Sequence, residues 1–312
     1  MQKQQTTSNI LMVRPSNFGF NEETAQNNAF QTKDASLSQE QISEKARVEF
    51  DIFVETLRGQ GVNVVVADDS ETPVKPDAVF PNNWVTMHAD GTMILYPMFA
   101  QARRLERDEN IIQLIENQFV VKTKIHLEQY ESVEKYLEGT GSMILDRANE
   151  IVYACLSVRT DLALLDELCD ILHYKRVAFT AVDGNGQDIY HTNVMMALGE
   201  TFVVICLETI RDEAERLNLI KLFELTNKEI IEISLAQMML FAGNMLQVRN
   251  EEGDTFLVMS DQAYNSLNTA QINHIQRHTQ FIFADIKTIE TYGGGSARCM
   301  MAEIFLDKRN SD

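Results

Sequence analysis

The sequence predicts an α/β fold made of five ββαβ units arranged around one axis. A β-hairpin pattern, in which two short apolar strands are joined by a polar turn, recurs along the chain. The first strands of these hairpins begin near Trp84, Met143, Val194 and Met245, which are 59, 51 and 51 residues apart, and Cys299 follows 54 residues later. A nearly constant period of about 50 residues indicates repeated supersecondary units.

Each predicted hairpin is followed by a helical pattern and then by another short strand. The hairpins are predicted at 83–98, 141–156, 191–207 and 243–260, the helices at 101–120, 161–168, 211–225 and 262–275, and further strands at positions such as 175–179 and 229–233. Strand 10–14, helix 41–59, strand 62–67 and the apolar run 300–306 would form the fifth unit. Pairing of the first and last strands would leave no exposed sheet edge. One domain over residues 1–312 is predicted, with a two-domain α/β protein as the alternative.

Charge and composition exclude several classes of partner. The formal net charge of −19 and the pI near 4.7 argue against nucleic acid or an anionic membrane as a partner. They are compatible with a small cationic or zwitterionic substrate. Residues 1–9 are polar and no run of 18 apolar residues occurs, so neither a signal peptide nor a membrane span is expected.

The cysteines predict a reduced protein with one unusual thiol. Cys155, Cys169 and Cys206 lie in apolar runs and are interpreted as small buried hydrophobic residues. There is no CxxC pair and no metal-ligand spacing, so no metal is predicted and a reducing cytoplasm is the expected location. Cys299 differs because it follows the three glycines at 293–295 and precedes a predicted strand. Such a turn can expose a nucleophile, although a glycine turn before a strand is also common in proteins without that function.

Polar residues recur at the start of the hairpins, where each first strand would point toward the axis. These residues are Asn82, Asn83, Glu138, His191, Asn193, Asn244 and Cys299. Taken singly, each has a structural explanation, such as turn formation by the two asparagines after Pro81 or capping of the turn 139–141 by Glu138. Their equivalent places in successive repeats instead predict one shared site.

These motifs resemble the guanidine-modifying (pentein) superfamily. The resemblance rests on residues 138–142 (EGTGS), 191–193 (HTN) and the glycine-rich turn into Cys299. Segments 12–15 (MVRP), 21–30, 80–84 (FPNNW) and 241–246 (FAGNML) are similar to bacterial proteins called amidinotransferases or citrulline-utilisation hydrolases. The superfamily includes arginine deiminases, dimethylarginine hydrolases, succinylarginine dihydrolases and amidinotransferases. The resemblance implies a five-bladed α/β-propeller with a pseudo-fivefold axis.

The resemblance also implies roles for individual residues. Cys299 would attack the guanidinium carbon and form a covalent amidino-thioether. His191 would protonate the leaving amine and then activate water, while Glu138 would hold the substrate nitrogens and orient His191. Arg159 matches the arginine that binds the substrate carboxylate, with a surface position at a helix start as the alternative. No cofactor is implied, and the partner would be a guanidino or ureido amino acid, with a homo-oligomer as a further possibility.

One departure from the deiminase pattern concerns substrate charge. Deiminases carry aspartates where this chain has Asn82 or Asn83 and Asn193. Succinylarginine dihydrolases, which process a neutral ureido intermediate, also have an asparagine at the earlier place. The sequence therefore favours hydrolysis of an arginine- or citrulline-like substrate. An amidinotransferase, a dimethylarginine-type hydrolase and a non-catalytic propeller remain as alternatives.

Overall fold

The structure, a computed structural model, describes residues 4–26, 28–33 and 36–309. Both ends of the predicted domain 1–312 and the first three residues of the polar segment 1–9 therefore lie outside the described residues.

The strands are short and are spread evenly along the described chain. They are β1 (Asn9–Arg14), β2 (Asn63–Asp68), β3 (Val85–Met87), β4 (Thr92–Leu95), β5 (Thr123–His126), β6 (Ile144–Asp146), β7 (Ile151–Cys155), β8 (Lys175–Phe179), β9 (Met196–Leu198), β10 (Phe202–Ile205), β11 (Glu229–Glu232), β12 (Leu246–Arg249), β13 (Thr255–Ser260), β14 (Gln280–Ala284) and β15 (Ala302–Glu303).

The helices lie between the strands. They are α1 (Glu22–Ala25), α2 (Gln39–Gly59), α3 (Gln101–Arg104), α4 (Glu109–Gln118), α5 (Gly139–Ser142), α6 (Leu162–Leu172), α7 (Thr192–Met195), α8 (Glu213–Leu225), α9 (Leu235–Met238), α10 (Asp261–Ser266), α11 (Thr269–Gln276) and α12 (Lys287–Gly293), with 3-10 turns at Pro81–Asn83, Glu128–Val133 and Leu207–Thr209.

The strands form five three-stranded sheets with the same pairing pattern. The central strand pairs antiparallel with one neighbour, through a hairpin in four sheets, and parallel with the other: β3-β4-β5, β6-β7-β8, β9-β10-β11, β12-β13-β14 and β15-β1-β2. In the last sheet Leu11 lies opposite Ala302, so the N-terminal strand pairs with the strand after Cys299, as predicted. The α/β class is confirmed, whereas the arrangement of the five sheets as a propeller stays a prediction.

Polar caps and apolar faces explain where the long helices form. Ser38 and Gln41 make a reciprocal capping box at the start of α2. The same helix buries Phe50, Phe53 and Leu57 on one side, and it contacts β14 and α12. Asp161 caps α6 in a simpler way, by accepting hydrogen bonds from two backbone amides of the first turn.

Two predicted helices are broken and one predicted strand is shorter. Helix 101–120 is divided into α3 and α4, because Asp108 caps a new helix start, and helix 262–275 is divided into α10 and α11. The predicted strand 300–306 contains only β15. Cys299 lies in a turn, because its N–H donates to the Ser296 carbonyl at 2.9 Å, so it does not open the strand directly.

A short turn precedes the first strand of every sheet. The 3-10 turn Pro81–Asn83 leads into β3, α5 leads into β6 and α7 leads into β9, while turns at 241–244 and 297–300 lead into β12 and β15. α5 contacts both α7 and the 3-10 turn, so these segments are neighbours in space. All the predicted site residues at hairpin starts lie in, or directly before, these turns.

Close packing of two of these turns at Gly243 gives a test of the fold. A Cβ atom at Gly243 would lie 2.2 Å from the Val194 carbonyl oxygen and 2.9 Å from Met195 backbone atoms. Because backbone cannot move aside cheaply, Gly243→Ala is expected to lower the free energy of unfolding by about 2 kcal/mol or more in urea titrations. Gly184→Ala is the control, since a Cβ there meets nothing within 4 Å. Equal stability of the two variants would contradict this packing.

Candidate active site

The Cys299 thiol is surrounded by side-chain amides. The three glycines that precede Cys299 lie at the end of α12. Gly294 takes the left-handed conformation (φ +64°) that favours glycine. Asn244 Nδ2 lies 3.3 Å from Cys299 Sγ, and Asn193 Nδ2 lies 3.5 Å from it. Amide N–H groups that donate to sulfur can solvate the negative charge of a thiolate, so the turns before β9 and β12 support the candidate nucleophile.

His191 and Glu138 form a buried pair. His191 Nε2 lies 2.7 Å from Glu138 Oε2, and both side chains are buried. The other carboxylate oxygen accepts a hydrogen bond from the Phe99 backbone N–H at 2.9 Å, and Arg159 Nη1 lies 3.4 Å from Oε2. Since a carboxylate can only accept, Nε2 carries the proton of a neutral His191 and Nδ1 keeps its lone pair.

The pKa values of this pair are both lowered. Burial lowers the pKa of His191 to about 4 and outweighs its hydrogen bond to Glu138. Burial by itself would raise the pKa of Glu138, but Arg159, His191 and Arg103 together hold that pKa well below its usual range. At neutral pH the pair is therefore an ionised Glu138 carboxylate beside a neutral His191 imidazole. The imidazole is able to take up a proton.

Four of the predicted residues line one cavity, namely Cys299, His191, Asn83 and Arg159. Its remaining lining residues are Thr24, Asn28, Asp77, Phe80, Arg103, Tyr190 and the three glycines at 293–295. The cavity measures only about 20 Å³, which is room for about one water molecule. This volume is smaller than an amino acid.

The other predicted residues lie behind the cavity wall. Asn193 and Asn244 contact the sulfur, as described above, and Glu138 holds His191. Asn82 Nδ2 lies 3.3 Å from Thr140 Oγ1, and its Oδ1 has no hydrogen-bond partner among the described residues. Arg159 is buried, so its interpretation as a surface residue at a helix start is wrong.

Two charged residues of the cavity were missed by the sequence interpretation. Arg103 lies in the predicted helix 101–120 and was not selected as a site residue, but it is buried, pairs with Glu106 at 2.8 Å and donates to Asn83 Oδ1 at 2.9 Å. Asp77 is also buried, and its Oδ2 accepts a hydrogen bond from Asn21 at 2.8 Å. Its Oδ1 has no hydrogen-bond partner among the described residues. Glu138 is thus not the only carboxylate at the site, and only the position of Asp77 just before segment 80–84 could have suggested it.

Tyr190 fixes the position of the cavity wall. Its hydroxyl donates to the Gly294 carbonyl at 3.1 Å, and the Arg159 guanidinium lies over its ring at 4.8 Å. The residue before the predicted histidine thus connects the glycine turn to the candidate carboxylate-binding arginine. The sequence analysis did not select Tyr190, because a single tyrosine belongs to none of the motifs used there.

Neither a metal cluster nor a membrane span appears in the described part of the chain. No group of three or more His, Cys, Asp or Glu side chains there could hold a metal ion. No helix within residues 4–26, 28–33 and 36–309 is long and apolar enough to cross a membrane.

Comparison with known families gives a match over most of the chain. The model of the family described as N,N dimethylarginine dimethylhydrolase, eukaryotic, matches residues 14–306. The chain belongs to this family. It is accordingly a member of the guanidine-modifying superfamily and a hydrolase that acts on carbon–nitrogen bonds. No curated protein matches the sequence.

Solved structures of the same fold include members with bound ligands. The N-terminal domain of an Asn-to-Ser variant of ArgZ, covalently bound to a reaction intermediate, has a TM-score of 0.75 at 16% identity, with 95% of this chain and 97% of that chain covered. An apo structure of ArgZ, described as an arginine dihydrolase from the ornithine-ammonia cycle in cyanobacteria, matches with a TM-score of 0.74 at 17% identity, with 95% of this chain and 40% of that chain covered. A dimethylarginine dimethylaminohydrolase adduct with S-methyl-L-thiocitrulline has a TM-score of 0.63 at 14% identity, with 96% and 100% covered. At these identities the likeness shows the fold.

Selective alkylation tests the environment of Cys299. Burial raises the pKa of Cys155 to about 12 and those of Cys169 and Cys206 to about 11, so these thiols stay protonated at neutral pH. 2-Chloroacetamidine at pH 7.5 is therefore expected to label Cys299 more than about tenfold faster than any other cysteine, as measured by peptide mass spectrometry. Cys299→Ser should abolish the label and Cys169→Ser should keep it. Equal labelling of several cysteines would contradict the assignment.

The buried neutral histidine predicts a pH dependence of stability. Between pH 6.5 and 4 the unfolded chain binds a proton at His191 that the folded chain does not, because the folded pKa is about 4. The free energy of unfolding should therefore fall as the pH decreases through this window, with a contribution of about 3 kcal/mol from His191. His191→Gln should give a flatter profile in urea titrations at pH 7, 6, 5 and 4.5. His126→Gln, at an exposed histidine, is the control. A profile for His191→Gln as steep as the wild type would contradict a buried neutral imidazole.

Proposed function

We propose that the protein hydrolyses the guanidino or ureido group of an arginine- or citrulline-like amino acid through a covalent intermediate on Cys299. The observation that carries the proposal is one cavity lined by Cys299 and His191 together with charged groups of both signs. The thiol can attack an electrophilic carbon, and the imidazole can move protons to and from the groups around that carbon.

The charged lining fits the two ends of an α-amino acid. Arg159 lines the cavity and can bind a carboxylate, for which a guanidinium fork has matching geometry, whereas the fork of Arg103 already holds Glu106. Asp77 lines the same cavity with one oxygen that has no hydrogen-bond partner among the described residues, and this oxygen can accept from an ammonium group. Arg159 and Asp77 support an unmodified amino acid as the substrate, with its guanidino or ureido end at Cys299.

The first half of the reaction forms the covalent intermediate. Proton transfer from Cys299 to the neutral His191 gives a thiolate, which attacks the guanidinium carbon and forms a C–S bond. One C–N bond then breaks, and the leaving amine takes the proton from His191. Asn193 and Asn244 stabilise the thiolate before the attack, because both donate toward Sγ.

The second half uses water in place of the amine. Water attacks the amidino-thioether carbon while His191 accepts its proton, and the C–S bond breaks to regenerate the thiolate. The product is a ureido compound. Glu138 accepts the hydrogen bond from His191 Nε2 throughout, so the imidazole gains and loses its second proton at Nδ1 and the imidazolium form is stabilised by the carboxylate.

The asparagines support a ureido substrate as well as a guanidinium. Asn83 lines the cavity, and its Nδ2 has no hydrogen-bond partner among the described residues while its Oδ1 accepts from Arg103. An amide N–H can donate to a ureido oxygen, which a carboxylate at this position could not do. Two successive hydrolyses of arginine would then release ornithine, carbon dioxide and ammonia. The similarity to ArgZ supports this route, whereas the family description supports dimethylarginine as a second candidate substrate.

A substrate panel tests the proposal. Arginine, citrulline and dimethylarginine should each release an amine or ammonia, and long incubation with arginine should give ornithine, as measured by mass spectrometry. Agmatine, which lacks the carboxylate, and Nα-acetylarginine, which lacks the ammonium, should react more than about tenfold more slowly, because Arg159 or Asp77 loses its partner. Cys299→Ser should be inactive with all of them. Accumulation of citrulline without its consumption would contradict the ureido part of the proposal.

The charge at position 83 tests substrate selection directly. Asn83→Asp keeps the oxygen that accepts from Arg103 and replaces the unpartnered amide with a negative oxygen. It is expected to raise the ratio of kcat/KM for arginine over citrulline by about tenfold, since an added anion favours the cationic substrate. Asn185→Asp adds the same charge at an exposed site and is the matched control. An unchanged ratio in Asn83→Asp would contradict contact between Asn83 and the reacting group.

Several structural and cellular features complete the proposal. We propose that the five sheets surround one axis as a five-bladed propeller and that residues 1–312 form one domain. This is supported by the repeated sheet pattern and by a parallel bridge between Met87 and Ile304, which links the sheet β3-β4-β5 to the sheet β15-β1-β2. Four free cysteines support a reducing cytoplasm as the location. Transfer of the amidino group to an amine remains the alternative to hydrolysis, and a homo-oligomer remains a proposal.

A further inference from the structure

A second cavity lies at the far ends of the strands that follow the catalytic turns. It measures about 570 Å³ and is lined in part by His88, Arg147, Tyr174, Arg249, Phe305 and Lys308. His88 follows β3, Arg147 follows β6 and Phe305 comes shortly after β15, whereas the catalytic candidates precede the same strands. The volume lies within the range of about 300–1,000 Å³ that is typical of small-molecule sites.

Arg147 connects the cavity to a buried cluster of two arginines and one glutamate, which has an excess of positive charge. Arg147 and Arg298 are both buried, and Glu303 is the carboxylate between them. Glu303 Oε2 lies 3.0 Å from Arg298 Nη2, but Oε1 lies 3.9 Å from Arg147 Nε. One carboxylate therefore faces two guanidinium groups, and a buried charge without full compensation is costly.

Arg147 is held in place and keeps one unused donor. Its Nη1 lies 3.2 Å from His88 Nδ1, and its guanidinium lies over the Phe305 ring at 4.0 Å. Its Nε is buried and has no hydrogen-bond partner among the described residues. Nearer the surface, the cations Arg249 and Lys308 are accompanied by the carboxylates of two exposed aspartates, Asp90 and Asp307. The uncompensated charge is thus at Arg147.

We propose that this cavity binds a small organic anion, with a carboxylate at Arg147 and an apolar body against Phe305 and Tyr174. The guanidinium fork matches a carboxylate, and an added anion would neutralise the excess charge of the buried cluster. The aromatic and aliphatic lining, which includes Leu172, would bury the apolar part of the ligand. This site is separate from the catalytic cavity, because the two share none of their lining residues.

Calorimetric titration of the alkylated enzyme tests this site. With Cys299 blocked by 2-chloroacetamidine, benzoate should bind with 1:1 stoichiometry and with the affinity that it has for the unmodified enzyme. Benzamide, its neutral analogue, should bind at least about tenfold more weakly because it lacks the charge. Inorganic phosphate should bind more weakly than benzoate because it lacks the apolar body. Loss of benzoate binding on alkylation, equal binding of benzamide, or tighter binding of phosphate would overturn the proposal.

Substitutions at Arg147 locate the ligand. Arg147→Met leaves Arg298 and Glu303 as a balanced pair and should weaken benzoate binding at least about tenfold. Arg147→Lys keeps the charge without the fork and should give a smaller loss, so it provides a second measurement if the methionine variant does not fold. Lys308→Gln, at an exposed residue of the rim, is the control and should change the affinity less than about twofold. Wild-type affinity in both Arg147 variants would overturn the proposal.

Discussion

The buried Glu138 carboxylate is the constraint on which the rest of the site depends. A carboxylate with no solvent contact must be neutralised or hydrogen-bonded, because transfer of a charge out of water is costly. Its partners come from three separate segments: the Phe99 backbone N–H, His191 before α7 and Arg159 after β7. Satisfying one carboxylate therefore fixes the units that contain β4, β6 and β9 relative to one another and sets the orientation of the candidate acid and base.

A second set of charges divides the candidate catalytic cavity into groups that are already paired and groups with unused hydrogen-bonding capacity. Arg103 is held by Glu106, and the same guanidinium orients the Asn83 amide. The oxygen of Asp77 and the Nδ2 of Asn83 keep unused hydrogen-bonding capacity. Buried polar atoms of this kind are rare in folded proteins unless a ligand or water completes them. The cavity thus combines groups already paired within the protein with groups that are left for a substrate.

The repeat pattern allowed much of the fold to be predicted, whereas the ends of individual helices and strands were predicted less accurately. Alternation of apolar residues and the period of about 50 residues identified the hairpins, and β1 does pair with the strand after Cys299. Cys299, His191, Asn83 and Arg159 were predicted as site residues from separate repeats, and the structure brings them to one cavity. The helix predicted at 101–120 is divided into α3 and α4, and the sequence did not show that charged residues at its start are buried. In the structure Arg103 and Glu106 point inward as a pair, and no local pattern distinguishes a paired buried charge from an exposed one.

The sequence by itself determined which segments become strands and helices and which turns carry the reactive side chains, because these properties depend on residues close together in the chain. Only the tertiary structure decided what surrounds each group. It placed Asp77 in the candidate catalytic cavity and gave Cys299 two amide donors. It also left Arg147 Nε 3.9 Å from a Glu303 oxygen, without a hydrogen bond among the described residues. These environments are made by residues far apart in sequence. Burial changes the energy of a charged group far more than its neighbours along the chain do.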